Sequence, residues 1–201
     1  MLRTAAAALA IAGILGAVLW QGTSGLRAFT TEGLRRLSVM EQPRPLPNVR
    51  LIDMQGRELT LPDELGRAMV VEFIYTTCPT ICVSLGESFA KLQDQIWMDG
   101  LADRIRLISI SFDLARDGPE ALSDYAQARG ADGRLWIAVR PENDEALRAL
   151  LTTFGVTVIP DGAGGFVHNA ALHVVDRQGR LIAIFDIGEE PQVLAALRRQ
   201  Q

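Results

Sequence analysis

Two cysteines and two histidines are all the thiol and imidazole groups in the 201 residues, and this scarcity excludes several functions at the outset. A structural zinc site takes four protein ligands, which here would require Cys78, Cys82, His168 and His173 to meet from widely separated positions. A disulfide between Cys78 and Cys82 would close a loop of only a few residues, so as a purely structural bond it would add little stability. No basic run is present, and 20 basic against 24 acidic residues leave a net charge of -4. Without a cationic track for phosphates, nucleic acid is excluded as a partner.

The apolar run Thr4 to Trp20 carries no charge and is followed by the polar stretch Gln21-Gly22-Thr23-Ser24-Gly25. It reads as a single N-terminal transmembrane anchor over residues 1–22, near the lower limit for crossing a bilayer, with a cleaved signal peptide as the rival reading. No cysteine follows the run, which closes the lipoprotein route. Residues 23–47 hold Gly25, Gly33, Pro43, Pro45 and Pro47 and read as a semi-rigid tether. One compact domain, expected over 48–201, then matches the ordinary globular composition of 48% apolar and 22% charged residues.

Within that domain, Val49 to Asp53 and Glu58 to Leu61 flank a glycine turn and predict a hairpin. Met69 to Tyr75 is apolar on both alternating faces except at Glu72, the pattern of a central strand covered on both sides. Leu85, Phe89, Leu92 and Ile96 recur at helical spacing. A strand at Arg104 to Phe112, a helix opened by Gly118-Pro119-Glu120, a strand at Leu135 to Val139 and a helix capped by Asn143 follow. A second hairpin, Ala171 to Asp176 with Leu181 to Asp186, precedes a closing helix. That order predicts a three-layer α/β sandwich with a mixed sheet.

The cysteines stand in Thr76-Thr77-Cys78-Pro79-Thr80-Ile81-Cys82, between the central strand and the first helix. Unsatisfied N–H groups and the dipole at a helix start favour a thiolate, which is both a nucleophile and a soft-metal ligand. Copper(I) accepts two thiolates and an imidazole, so softness and ligand number favour it over zinc.

The segment Val71 to Cys82 resembles the CxxxC signature of the Sco/SenC family. Ser109-Ile110-Ser111-Phe112-Asp113 followed by Arg116-Asp117-Gly118-Pro119-Glu120 is similar to that family's strand end and helix start, and Phe166-Val167-His168-Asn169 to its histidine block. The resemblance implies a thioredoxin-like fold preceded by one membrane helix, with the domain on the periplasmic face of a bacterial inner membrane. It also implies a copper ion held by Cys78, Cys82 and His168. The implied function is a metallochaperone that delivers copper to, or keeps reduced the thiols of, the dinuclear copper centre of cytochrome c oxidase. Its expected partner is the copper-accepting subunit of that enzyme or another copper or thiol protein. The competing expectation is a membrane-anchored periplasmic thiol–disulfide oxidoreductase that uses Cys78 and Cys82 without obligatory metal.

Glu72 is a carboxylate in a strand that should be buried, six residues before Cys78, and resembles the buried acid of thioredoxins that exchanges a proton during thiol chemistry. The third catalytic candidate beside Cys78 and Cys82 is therefore Glu72, as proton acceptor for Cys82; pairing with a nearby arginine or lysine is the alternative. His168 follows the glycine-rich stretch Asp161 to Gly165, expected to be a mobile loop. His173, an odd number of residues further on, is expected on the opposite strand face as a packing residue.

Overall fold

The computed structural model describes residues 2–78 and 81–200, so Pro79 and Thr80 between the cysteines lie outside the described residues. The chain divides into two compact units, Met1–Gln42 and Pro43–Gln201.

The first unit holds α1 (Leu2–Gly22) and α2 (Thr31–Glu41). The expected transmembrane helix is not supported. Among the described residues no helix is long and apolar enough to cross a membrane, the uncharged run being short and diluted by Ala5, Gly13 and Gly16. The segment expected as an extended tether is in part helical. Thr30 caps α2 by accepting the Gly33 N–H at 2.9 Å, and Glu32 receives both Arg35 and Arg36 about one turn on.

The second unit begins its sheet at β1 (Arg44–Pro45) rather than near Asn48. It continues through β2 (Arg50–Asp53), β3 (Glu58–Thr60), β4 (Ala68–Ile74), α3 (Ile81–Met98), β5 (Ile105–Ser111), α4 (Pro119–Arg129), β6 (Trp136–Pro141) and α5 (Asp144–Phe154). β7 (Val158–Pro160), β8 (Phe166–His168), β9 (Leu172–Val175), β10 (Arg180–Phe185) and α6 (Glu190–Arg198) complete it. Eight strands form one mixed sheet in the order β1-β10-β9-β4-β5-β6-β2-β3, and β7 and β8 pair separately. β4, β5 and β6 run parallel, and the remaining neighbours are antiparallel.

β4 is paired on both edges and buried at every residue, which explains its continuous apolar sequence. Strand alternation divides its side chains between two helical layers. Glu72 faces α4, where the Tyr125 hydroxyl lies 3.4 Å away. Phe73 faces α5, with its ring 5.2 Å from that of Phe154.

α3 buries Leu85, Phe89, Leu92 and Ile96 as its spacing required. Asn143 caps α5 by accepting the Ala146 N–H at 2.9 Å, although the face turned inward is Ala146, Leu150 and Phe154. Leu147 and Leu151 are half-buried. The parallel strands therefore end together at one rim, where the chain leaves β4 for the cysteines.

Candidate functional site

The cysteine segment is anchored before it reaches its first sulfur. Thr76 donates its N–H and its hydroxyl to the fully buried Asp117 at 2.8 and 2.7 Å, and Ser111 at the end of β5 donates to the same carboxylate at 2.5 Å. The Cys78 N–H then closes a tight turn onto the Tyr75 carbonyl at 3.2 Å. Cys82, in the first turn of α3, donates its backbone N–H to Cys78 Sγ at 3.3 Å.

Neither thiol is in a disulfide and both are buried, Cys78 at 5% and Cys82 at 0% exposure. The helix start was expected to favour a thiolate at either sulfur, and for Cys82 the structure corrects this. Burial, reinforced by the neighbouring Cys78, pushes the Cys82 thiol well above the usual range, because a thiolate there would lose its hydration. The helix-start N–H is directed at Cys78 instead.

His168 enters from β8. Its Nε2 lies 4.0 Å from Cys82 Sγ, and its ring packs 5.1 Å from Phe112. The ring is half-buried, and desolvation lowers its pKa, favouring the neutral imidazole a metal ligand requires. Its Nδ1 is buried without a hydrogen-bond partner. Among the described residues no three His, Cys, Asp or Glu side chains form a ready cluster for a metal ion, so Cys82 and His168 are the pair the fold brings face to face.

The stretch Asp161 to Gly165, expected as a mobile loop, forms the turn of the β7–β8 hairpin. Asp161 Oδ1 accepts from the Ala163 and Gly165 N–H groups at 2.7 and 2.9 Å. Gly165 is required by close approach, since a Cβ there would meet Asp161 Oδ2 at 2.6 Å and the Tyr75 hydroxyl at 3.2 Å. Aromatic contacts seat the hairpin, with Phe166 5.2 Å from Tyr75 and 5.4 Å from Phe112. A cavity of about 530 Å³ opens between Thr77 and this turn.

Glu72 lies deeper in the same layer and is fully buried. Its Oε1 accepts from Ser109 at 2.5 Å, and that hydroxyl accepts from Trp136 Nε1–H at 2.8 Å. Oε2 has no hydrogen-bond partner. Burial raises its pKa from 4.5 to about 8, opposed by Ser109, Tyr125 and the Arg129 guanidinium. An ion pair with arginine is therefore not what holds it; two hydroxyls are. His173 is apart from the site, donating its Nδ1–H to the Val71 carbonyl (3.0 Å) and packed edge-on between Phe73 and Phe154.

The SCO1/SenC family model matches residues 42–200, the whole of the second unit but its final residue. The chain belongs to the SCO1/SenC family.

Among the family's relatives, a Stutzerimonas stutzeri protein named as copper-binding is 25% identical over 147 residues, covering 71% of this chain and 70% of that protein. The copper-bound ScoI of Bradyrhizobium japonicum superposes with a TM-score of 0.66 at 22% identity, covering 78% of this chain and 99% of that one. BsSco, described by its disulfide switch and as a member of the Sco family of cytochrome c oxidase assembly proteins, superposes with a TM-score of 0.71 at 17% identity, covering 79% and 94%. The SCO1/SenC fold is thus a thioredoxin-like mixed α/β sandwich.

Sequence reasoning missed the supports of this SCO1/SenC site: Asp117, Arg116, Phe112, Phe166, Ser109 and Tyr125. The available signal was polarity in the wrong place, since Ser109 and Ser111 interrupt the buried run Leu107 to Ser111 of β5 and each hydrogen-bonds a buried carboxyl group.

Proposed function

We propose that this SCO1/SenC protein binds one copper ion through Cys78, Cys82 and His168. It would hand that ion to the copper-accepting subunit of cytochrome c oxidase or another copper or thiol protein, or keep the partner's thiols reduced. The observation that carries the reading is the 4.0 Å approach of His168 Nε2 to Cys82 Sγ. Metal–sulfur and metal–nitrogen bonds are about 2.3 and 2.0 Å in zinc sites, so one first-row ion can bridge both atoms without either moving away. Two thiols and a neutral imidazole form a soft donor set suited to copper(I). The copper-bound state of the B. japonicum protein, on the same fold, supports the assignment.

The test is anaerobic copper(I) titration of the chain against a chelator of moderate affinity. Wild type should bind one equivalent. Cys78→Ser and Cys82→Ser should abolish stoichiometric binding, and His168→Ala should weaken it by about tenfold or more. Failure of wild type to compete would overturn the chaperone reading.

Glu72 supports a second chemistry on the same cysteines. In this reading Cys78 thiolate attacks a client disulfide, forming a mixed disulfide and expelling the first client sulfur as thiolate. Glu72 then takes the proton from the Cys82 thiol. Cys82 attacks Cys78 Sγ and releases the second client thiolate, so the client gains two electrons as the pair becomes a disulfide. A carboxyl with a pKa of about 8, whose charge is felt at Cys82, accepts a proton in its ionised form, which becomes the major form only as pH rises through about 8. Glu72→Gln should slow disulfide reduction while leaving copper(I) affinity nearly unchanged; equal losses in both assays would refute the role.

The location is read as the outer face of a bacterial inner membrane. Leu9, Ile11, Ile14, Leu15, Val18, Leu19 and Trp20, all exposed on α1, support a membrane-directed N-terminal segment. Fractionation of the full chain into membrane or soluble extract, with and without residues 1–22, tests this assignment.

A further inference from the structure

His168 does not belong to the main sheet. It sits on a hairpin whose two strands pair over three residues each, Val158 with His168, Ile159 with Val167 and Pro160 with Phe166. A ladder this short holds itself together weakly, so what fixes the imidazole against Cys82 must come from outside the hairpin.

The turn after β5 supplies it. Arg116 donates from Nε to Asp113 Oδ2 and from Nη1 to the Gly164 carbonyl at 2.6 Å. Its guanidinium also lies over the Phe166 ring, 5.6 Å from the centroid. Asp113 is itself buried and fixed, its N–H donating to Ser111 Oγ at 3.1 Å. The guanidinium therefore reaches from a rigid carboxylate at the end of β5 to both the tip and the aromatic face of the hairpin.

The next residue, Asp117, performs the matching task for the cysteine segment through Thr76. One five-residue turn, held by the Asp117 N–H on the Asp113 carbonyl at 2.9 Å, thus grips both segments that carry the candidate ligands.

We propose that Arg116 is a positioning residue that sets the separation of the His168 imidazole and the Cys82 sulfur by clamping the hairpin tip to the end of β5. Arginine suits the task because its planar fork can serve the carboxylate, the carbonyl and the ring face at once, which a lysine ammonium cannot. The consequence for copper rests on the copper-site reading above; the clamp itself does not.

The experiment has two arms on the full chain. In the first, amide hydrogen exchange is followed in metal-free protein. Arg116→Ala should speed exchange at Gly165, Phe166 and His168 by about tenfold or more, as expected for loss of a charged hydrogen bond. β4 and β5 should be unchanged, and Arg116→Lys should recover part of the protection. In the second, copper(I) affinity is measured in a double-mutant cycle with His168→Ala. Arg116→Ala should weaken binding in the wild-type background and have no further effect once His168 is gone, because it acts through that imidazole.

Unchanged exchange at the hairpin, or an equal loss of affinity in both backgrounds, would overturn the proposal. If wild type bound no copper, the copper-site reading would fail while the exchange arm still decided whether Arg116 is the clamp.

Discussion

Glu72→Gln should remove most of the decline in folding stability between pH 5 and pH 8. The Glu72 carboxyl has a pKa of about 8 in the folded protein against 4.5 for the unperturbed group, with burial the largest cause. Below pH 4.5 both folded and unfolded chains hold its proton, and the group is neutral with respect to stability. Between 4.5 and 8 the unfolded chain releases the proton while the folded one retains it. The folded state then binds more protons, and stability falls as pH rises, levelling off above 8.

Glutamine keeps the shape and an oxygen for the Ser109 hydroxyl but has no proton to lose. The variant should differ little in pH dependence from wild type near pH 4 and gain on it by up to about 5 kcal/mol at pH 8 and above. Urea unfolding at pH 4.5, 6.5 and 8.5 reads this as a difference of slopes, which cancels any pH-independent cost of placing an amide where Oε2 lacks a partner. Parallel curves for the two proteins would show that Glu72 is charged at neutral pH in the folded state.

Asp117→Ala should be the most damaging single change at the site that touches no candidate ligand. The carboxylate is fully buried and accepts from the Thr76 N–H, the Thr76 hydroxyl and the Ser111 hydroxyl. Alanine leaves three donors without their acceptor, the Ser111 hydroxyl fully buried and the Thr76 N–H and hydroxyl half-buried. Each orphaned buried donor costs about 1–3 kcal/mol, so a total loss of about 3–5 kcal/mol is expected in urea unfolding. Asp117→Asn, which keeps one acceptor oxygen, should fall between. Asp124→Ala, at an exposed position on α4, should change stability by less than about 0.5 kcal/mol. A loss below about 1 kcal/mol for Asp117→Ala would mean that Thr76 has other means of support.

What could be read from the chain before its structure follows from the range of the forces involved. β4, β5, α3 and the Asn143 cap of α5 were legible because their signals lie within one element: a continuous apolar run, a helical stripe, a side chain facing an amide three residues on. The short β7–β8 hairpin was not, because Pro160 and the glycines around it describe a turn without saying that two three-residue strands close on either side. Nor was α2, whose Thr30 cap and Glu32 ion pairs were outweighed by the prolines that follow it.

The site divides in the same way. Cys78 and Cys82 stand four residues apart in one short segment, and Glu72 stands out within its own strand. The hydroxyls that hold Glu72 come from Ser109 and Tyr125, and the clamp on the hairpin joins Arg116 to Gly164. Such pairings exist only once β4, β5 and α4 are packed, and single-residue patterns do not carry them.

The two ends of the sheet decide how another protein can approach. One edge is β1, two residues long and ending in Pro45, which has no N–H to offer; the other is β3, three residues long and starting at the charged Glu58. Neither presents a row of free backbone donors and acceptors long enough to template a further strand. Pairing a further strand onto β1 or β3 would therefore add few main-chain hydrogen bonds.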